Sequence, residues 1–151
     1  MAEEKEVLSG AEQEIISKAI VDLINSYEGL PEEICASWQY ISDEDRLAVC
    51  SMQGAVKLVE YLCMPGEESF DGQFPFFILY RVMPSGTASR IEGQDFLDTL
   101  AEWLEKTEFP KLTEGRKITE ITRTTTSFLA ERFENGMEDY QCNFNLIYEK
   151  R

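Results

Sequence analysis

The chain has 151 residues, of which 43% are apolar and 28% are charged, and 29 acidic against 14 basic residues give a formal net charge of −15. This length and composition predict one soluble domain over residues 1–151, with residues 1–8 as a flexible tail. The acidic charge argues against binding to nucleic-acid phosphates, the absence of any apolar run near about 18 residues argues against a membrane protein, and the missing signal peptide argues against secretion.

The first predicted element is an amphipathic helix near the N-terminus. Ser9 and Glu12 have the spacing of a capping box, which marks a helix start. Gly29 and Pro31 mark its end. Between them, apolar residues recur with helical spacing and predict one buried stripe, formed by Ile15, Ile16, Ala19, Ile20, Leu23 and Ile24.

Short strands are predicted after this helix. Alternating apolar and polar residues predict a strand over residues 33–41, a polar turn over 42–45 and a second strand over 47–52. Residues 55–63 fit either a helix or a strand, and we favour the strand. Residues 64–72 are rich in glycine, proline and acidic residues and predict a loop.

Residues 74–83 are apolar on both faces, which predicts a central strand covered from two sides. A second helix follows, because Ser89 and Glu92 repeat the capping-box spacing and Pro110 lies beyond its end. Its predicted apolar stripe consists of Ile91, Phe96, Leu97, Leu100, Ala101 and Leu104, with Trp103 beside it.

The C-terminal part predicts a β-hairpin. Residues 117–126 are rich in threonine and β-branched residues, which favour a strand. Asn135-Gly136 is a strong hairpin signal, so the closing strand is expected to pair antiparallel with residues 124–132. In that strand Tyr140, Cys142, Phe144, Leu146 and Tyr148 alternate with uncharged amides. The whole pattern predicts an α+β fold, with a mainly antiparallel or mixed sheet and two amphipathic helices packed on it.

The sequence contains few candidates for catalysis or metal binding. Histidine is absent, which removes the Ser-His and Cys-His nucleophiles, whereas carboxylate and lysine bases stay open. The four cysteines, Cys35, Cys50, Cys63 and Cys142, form no C-x-x-C pair. Neither a phosphate loop nor a calcium loop is present, and we interpret the acidic residues 42–45 as a solvated turn. We therefore expect no catalytic residue, no cofactor-binding residue and no metal site.

Two groups of residues are candidates for protein contacts. Phe128, Leu129 and Phe133 lie near the predicted hairpin tip, where they are either an interface or ordinary core residues. Arg123 precedes them in a run of hydroxyl side chains. On the closing strand the amides face away from the apolar side chains, so they either meet solvent or line an interface: Gln141, Asn143 and Asn145.

Five stretches together resemble a known family. They are residues 26–31 (SYEGLP), residues 72–76 (GQFPF) leading into Tyr80-Arg81, residues 98–105 with Glu102-Trp103-Leu104, residues 115–118 (GRKI) and residues 134–141 (ENGMEDYQ). In this order the chain resembles small phage proteins described as minor capsid or minor structural proteins, which are similar to the tail terminators of long-tailed phages and prophages.

The resemblance implies a structural role without a cofactor or a reaction. It implies a homo-hexameric ring that caps the tail tube, contacts the tail-tube protein and the head–tail connector proteins, and lies at the tail–head junction of the virion after assembly in the bacterial cytoplasm. An acidic ring lumen would let DNA pass without binding it. The alternatives are a head-completion or connector-joining neck protein, and a small ligand-binding or enzymatic α+β domain.

Overall fold

The computed structural model describes residues 5–43 and 46–151, and these residues form two α-helices and a seven-stranded mixed sheet. The elements follow in the order α1 (Gly10–Asn25), β1 (Cys35–Trp38), β2 (Arg46–Ser51), β3 (Val56–Glu60), β4 (Phe70–Val82), α2 (Thr87–Lys106), β5 (Arg116–Arg123), β6 (Phe128–Arg132) and β7 (Glu138–Lys150). The predicted α+β fold is confirmed.

The two longest strands, β4 and β7, form the centre of the sheet. They pair antiparallel along their whole length, from Phe70 opposite Lys150 to Val82 opposite Glu138. On the side of β4 away from β7, β2 pairs with one part of β4 and β3 with another. On the side of β7 away from β4, β5 and β6 divide the length of β7 in the same way. β1 pairs parallel with β2 at the end of the sheet, which makes the sheet mixed.

Both helices pack on the same face of this sheet, which we call the inner face. α1 reaches the inner face through Glu12, whose carboxylate contacts Tyr148 of β7, and α2 reaches it through Phe96, whose ring lies 4.6 Å from that of Tyr80 on β4. The apolar core fills the space between, with side chains that include Ile16, Ile20, Ile24, Phe74, Phe76, Ile78, Leu97, Leu100, Leu104, Cys142, Phe144, Leu146 and Tyr148. The predicted inward set of the closing strand is thus confirmed.

The first helix starts where the sequence predicts. The Ser9 hydroxyl accepts a hydrogen bond from the Glu12 backbone N–H at 3.2 Å, as an N-cap does. The helix ends at Asn25, with Ser26 as the C-cap. The Glu12 side chain, however, points to the sheet and is only 5% exposed.

The second helix starts earlier than predicted. It begins at Thr87 with Gly86 as N-cap, so Ser89 lies inside the first turn, where its hydroxyl accepts hydrogen bonds from the backbone of Ser85 and Gly86. The apolar spacing predicts that Ile91 belongs to the buried stripe, but Ile91 is 63% exposed. Gly93 is buried instead. At this residue α2 approaches β4 so closely that an added Cβ would lie 3.2 Å from Val82 Cγ1.

The strand predictions hold with shifted ends. Residues 55–63 contain β3 rather than a helix, and Asn135-Gly136 forms the turn between β6 and β7, where Gly136 has a φ of +91°. β1 covers only part of the predicted 33–41. Residues 70–72 belong to β4 rather than to the preceding loop. β5 ends at Arg123, before the predicted end at residue 126.

The N-terminal residues are paired rather than free from residue 6 onwards. Val7 bridges Val56, the Lys57 N–H donates to the Glu6 carbonyl at 2.8 Å, and Leu8 is buried. The expectation of a flexible tail therefore does not hold for residues 6–8, and residues 1–4 lie outside the described residues. Glu44 and Asp45 of the predicted acidic turn lie outside them as well.

Candidate functional site

The face of the sheet opposite the helices is the candidate interaction surface, and we call it the outer face. Within residues 5–43 and 46–151 neither helix packs on it. Alternate residues of the central strands point to it, because successive strand residues face opposite sides. It consists of Gln73, Pro75, Phe77, Leu79 and Arg81 on β4 and of Asp139, Gln141, Asn143, Asn145 and Ile147 on β7.

The centre of the outer face is a row of apolar side chains beside a row of amides. Pro75 lies opposite Asn145, Phe77 opposite Asn143, and Leu79 opposite Gln141. On the other side of β4, Cys50 of β2 lies opposite Phe77. All of these residues are half-buried. In a chain of net charge −15, this centre carries no charge.

The apolar row corrects one prediction. The sequence led us to expect β4 to be covered on both sides, but the described residues cover only its inner side. Phe77 and Leu79 were therefore missed as candidate contact residues. The signal that could have found them was the apolar character of residues 74–83 on both faces, which an uncovered interface explains as well as a buried strand does.

The amides on the outer face bond to each other. Gln141 Nε2 donates to Asn143 Oδ1 at 2.7 Å, and Asn145 Nδ2 donates to Gln73 Oε1 at 3.2 Å. Asn145 Oδ1 is buried and accepts no hydrogen bond from a described residue. A buried acceptor without a partner costs about 1–3 kcal/mol, so a donor from another molecule would stabilise this position.

Charges occur at the two ends of the outer face, and they are paired. At one end the Arg81 guanidinium donates to both carboxylate oxygens of Asp139, at 2.8 and 3.0 Å, and to Asp43 at 3.0 Å. At the other end Arg151 donates to Asp71 at 2.8 Å. Each of these two arginines pairs with two carboxylates, since Arg151 also contacts Glu149 at 3.3 Å, so the rim stays acidic around a centre without charge.

The structure brings most of the predicted contact residues to this surface. Gln141, Asn143 and Asn145 lie side by side on it. Phe128 of β6 lies opposite Gln141 and is 39% exposed, so it extends the surface beyond β7. Leu129, the next residue of β6, is 41% exposed but lies opposite the inward-facing Tyr140, so it is not on the outer face.

Phe133 lies at one end of the outer face, and Arg123 lies apart from it. The Phe133 ring packs against the Arg81 guanidinium, 4.8 Å from its centroid, at the hairpin turn. Arg123 Nε donates to Glu105 Oε1 of α2 at 2.7 Å, and Arg123 lies opposite the inward-facing Phe144. Arg123 is therefore not part of the outer face.

A buried ion pair joins α1 to the sheet on the inner side. The Arg116 guanidinium donates to both carboxylate oxygens of Glu12, at 2.8 and 2.5 Å, and the Tyr148 hydroxyl donates to Glu12 Oε1 at 3.0 Å. The hydrogen bonds from Arg116 lower the pKa of Glu12, although burial opposes this. Burial and the nearby carboxylate raise the pKa of Tyr148. The ionised Glu12 carboxylate therefore has a structural role, because its hydrogen bonds hold α1 against β5 and β7.

A second buried carboxylate lies at the start of β7. Glu138 accepts hydrogen bonds from Arg90 at 3.0 Å, from Arg132 at 2.5 Å and from the Tyr140 hydroxyl at 3.2 Å. Burial opposes its ionisation, but the two guanidinium groups outweigh burial and lower its pKa. This cluster connects α2, β6 and β7.

One open groove lies between α1 and the chain after α2. It has a volume of about 740 Å³ and is lined by one side of α1 with its C-cap Ser26 and by residues 108–113. Among the described residues, no group of three or more Cys, Asp and Glu side chains is arranged to hold a metal ion. The described helices include none that is both long and apolar enough to cross a membrane.

Comparison with known proteins gives no family assignment. No protein-family model matches the chain, and no curated protein matches it significantly.

Proposed function

We propose that the chain is a structural protein of the tail-terminator type, which forms a ring on the end of a phage tail tube and joins the tail to the head. The observation that carries this proposal is the outer face, where Pro75, Phe77 and Leu79 of β4 are half-buried and neither helix packs on them. An apolar surface of this kind marks a protein–protein interface. A ring protein that caps a tube acts through such contacts alone.

The charge distribution supports self-assembly through a neutral surface. Each copy carries a net charge of −15, so copies repel one another wherever acidic residues face each other. The centre of the outer face avoids this repulsion, because it consists of amides and apolar side chains. Interface centres in proteins are depleted of charge in the same way.

The edge strand β6 is a further contact element. It pairs with β7 on one side, and all five of its residues are exposed. Exposed edge strands present unpaired backbone groups that pair with strands of other chains. Phe128 and Leu129 add apolar area at this edge.

The net acidity suits a ring through which DNA passes. A surface that lacks clustered lysine and arginine gains nothing from counterion release when DNA approaches, and like charges keep the two apart. The proposed ring would therefore guide DNA without retaining it.

The substitution Asn143→Glu tests the proposal. It places a charge at the centre of the outer face, where burial in an interface would be costly, whereas in the single subunit position 143 is half-buried and a carboxylate there can still accept the hydrogen bond from Gln141. We expect fewer oligomers in native mass spectrometry and fewer capped tubes in electron microscopy with the tail-tube protein of the same phage or prophage. The free energy of unfolding should stay within about 1 kcal/mol of the wild type.

Thr99→Glu is the matched control, because it adds the same charge at an exposed position of α2. Wild-type protein that neither oligomerises nor caps tubes would contradict the proposed function. Binding to the head connector without binding to the tube protein would favour a neck protein instead. Rings that tolerate Asn143→Glu would contradict the role of the outer face.

A further inference from the structure

The N-terminal residues 5–8 lie along the side of β3 that faces away from β4, and we call them the strap. Val7 bridges Val56 antiparallel, and the Leu8 N–H donates to the Ala55 carbonyl at 2.9 Å. Backbone bonds of this kind join neighbouring strands of a sheet. The strap is therefore a short added strand, supplied by the chain itself, at the edge of β3.

Three further contacts hold the strap. The Lys57 N–H donates to the Glu6 carbonyl at 2.8 Å, and Lys57 Nζ lies 3.4 Å from the Glu6 carboxylate. Lys5 Nζ donates to the Leu58 carbonyl at 3.2 Å. Lys57 also pairs with Glu68 at 2.6 Å, so its charge stays compensated when the strap is absent.

The strap has a buried end and an exposed end. Leu8 is 2% exposed and belongs to the apolar core, whereas Val7 is 65% exposed. Residues 5–7 are all exposed, so they contact β3 without filling the core. Their release is a local opening, which needs less free energy than unfolding of the whole subunit.

Without this cover β3 would be an open edge strand. Release of the strap frees the Lys57 N–H and the Ala55 carbonyl, both of which bond to the strap rather than to β4. Beyond them, β3 and the residues after it carry exposed apolar side chains, Val59, Tyr61 and Leu62. An open edge with apolar side chains is a template for pairing with strands of other chains.

The far edge of the sheet differs from the edge at β3. β6 pairs with β7 on one side, and within the part of the chain that the structure describes no segment pairs with its other side. The chain thus covers the edge of β3 with its own N-terminal residues and leaves the edge of β6 open.

We infer that the strap is an edge cap, which keeps β3 from pairing with strands of other copies. The contact is autoinhibitory, because the strap occupies the backbone groups that a strand of another chain would bind. The cap acts in the single subunit and does not depend on binding to a tail tube, so it goes beyond the proposed function.

Deletion of residues 2–7 tests the cap, because it removes the strap and keeps Leu8 in the core. Deletion of residues 2–4 is the matched control, which shortens the chain and leaves the strap. The two deletions change the net charge equally, since residues 5–7 contain one lysine and one glutamate. Both proteins carry Asn143→Glu, so that contacts through the outer face add little to the signal.

We expect two differences between these proteins. At low protein concentration, the Lys57 amide should exchange its hydrogen about tenfold faster, or more, in the longer deletion than in the control. At higher concentration, analytical ultracentrifugation should show self-association about tenfold tighter, or more, in the longer deletion. A longer deletion that associates no more than the control would overturn the inference.

Two charge substitutions in the longer deletion locate the new contact. Val59→Glu places a carboxylate on the opened strand, and Ile91→Glu places the same charge at an exposed position of α2. Val59→Glu should reverse the added association, because charged side chains on an edge strand oppose pairing with another chain. Ile91→Glu should not reverse it. Equal effects of the two substitutions would contradict a contact through β3.

A locked strap tests the cap without a deletion. Val7 and Val56 form the closely spaced, non-hydrogen-bonded kind of antiparallel pair, whose geometry suits a disulfide. We therefore combine Val7→Cys and Val56→Cys with Cys35→Ser and Cys63→Ser, which remove the exposed native thiols.

The oxidised, locked protein should aggregate about tenfold more slowly, or more, than the same protein reduced. Because a disulfide also raises the stability of the folded state, the two rates are compared at temperatures equally far below the respective unfolding midpoints. Equal rates would contradict the cap, also in the case that the longer deletion fails to fold.

Discussion

Glu12 shows how the role of one residue depends on distant parts of the chain. Its spacing from Ser9 marks a helix start, yet its carboxylate bonds to Arg116 and Tyr148, 104 and 136 positions further along the chain. Removing one partner from a buried ion pair leaves the other charge without compensation, which is more costly than replacing both partners by apolar side chains.

Glu12→Gln should therefore lower the free energy of unfolding by about 3 kcal/mol, because the buried Arg116 guanidinium keeps only the exposed Glu114 carboxylate, 3.4 Å away, as a counter-charge. Urea unfolding measures this loss. Glu14→Gln, at an exposed position of the same helix, should change stability by less than about 0.5 kcal/mol. The double variant Glu12→Met with Arg116→Met should recover most of the loss. A loss below about 1 kcal/mol in Glu12→Gln would show that the ion pair contributes little.

The same carboxylate predicts a pH dependence. Hydrogen bonds from Arg116 lower the pKa of Glu12 in the folded state below its ordinary value of 4.5. Between these two values the unfolded state binds more protons, so the contribution of Glu12 is complete above pH 4.5 and is lost as the pH falls through the folded-state pKa. The stability difference between the wild type and Glu12→Gln should therefore shrink in unfolding experiments below pH 4.5. A difference that grows on acidification would contradict this sign.

At the scale of elements, the pairing of β4 with β7 determines the arrangement of the whole sheet. Gly72 permits it at one point, because a Cβ there would lie 2.5 Å from Cε1 of Tyr148. The Tyr148 ring is buried and its hydroxyl is bonded to Glu12, so it has little freedom to move. The sequence assigned Gly72 to a loop and contained no sign of this close approach.

Gly72→Ala should destabilise the protein by about 1–3 kcal/mol, because the added methyl group overlaps the Tyr148 ring. Thermal or urea unfolding measures the effect. Gly10→Ala is the control, since no atom lies within 4 Å of a Cβ at Gly10. Equal stability of the two variants would mean that the ring moves aside at no cost.

Element types were predictable from the sequence, whereas their ends and partners were not. The apolar stripe of α1 and the alternation of β7 depend on local spacing, and both predictions are confirmed, except that Ile15 is only half-buried. The start of α2 was misplaced because Ser89 bonds back to the preceding turn from inside the helix. The exposure of Ile91 and the burial of Gly93 depend on how closely α2 approaches β4, which no local pattern contains.

At the scale of the whole molecule, one continuous core joins both helices to the sheet. Small domains with a single core unfold in one cooperative step. Two tryptophans report on different parts of this core, since Trp38 on β1 lies 6.2 Å from Phe74 and Trp103 on α2 lies 4.8 Å from Tyr27.

We expect a single unfolding transition for the subunit. Three signals should agree with the wild-type transition once the stability change of each variant is included. They are the fluorescence of Trp38 in a Trp103→Phe variant, the fluorescence of Trp103 in a Trp38→Phe variant, and far-UV circular dichroism. Transitions that separate by more than this change would show two independently unfolding parts. That result would contradict the single domain predicted from the sequence.

The sequence by itself determined the α+β class, the acidic charge, the inward side of β7 and the amide row on its other side, because each depends on composition or on the spacing of neighbouring residues. Only the tertiary structure decided which side of β4 is covered, where Arg123 points and what Glu12 bonds to. These features depend on contacts between residues far apart in the chain. An apolar strand carries the same pattern whether its second face is buried in its own subunit or left for another, so the outer face became visible only once both helices were placed on the opposite side.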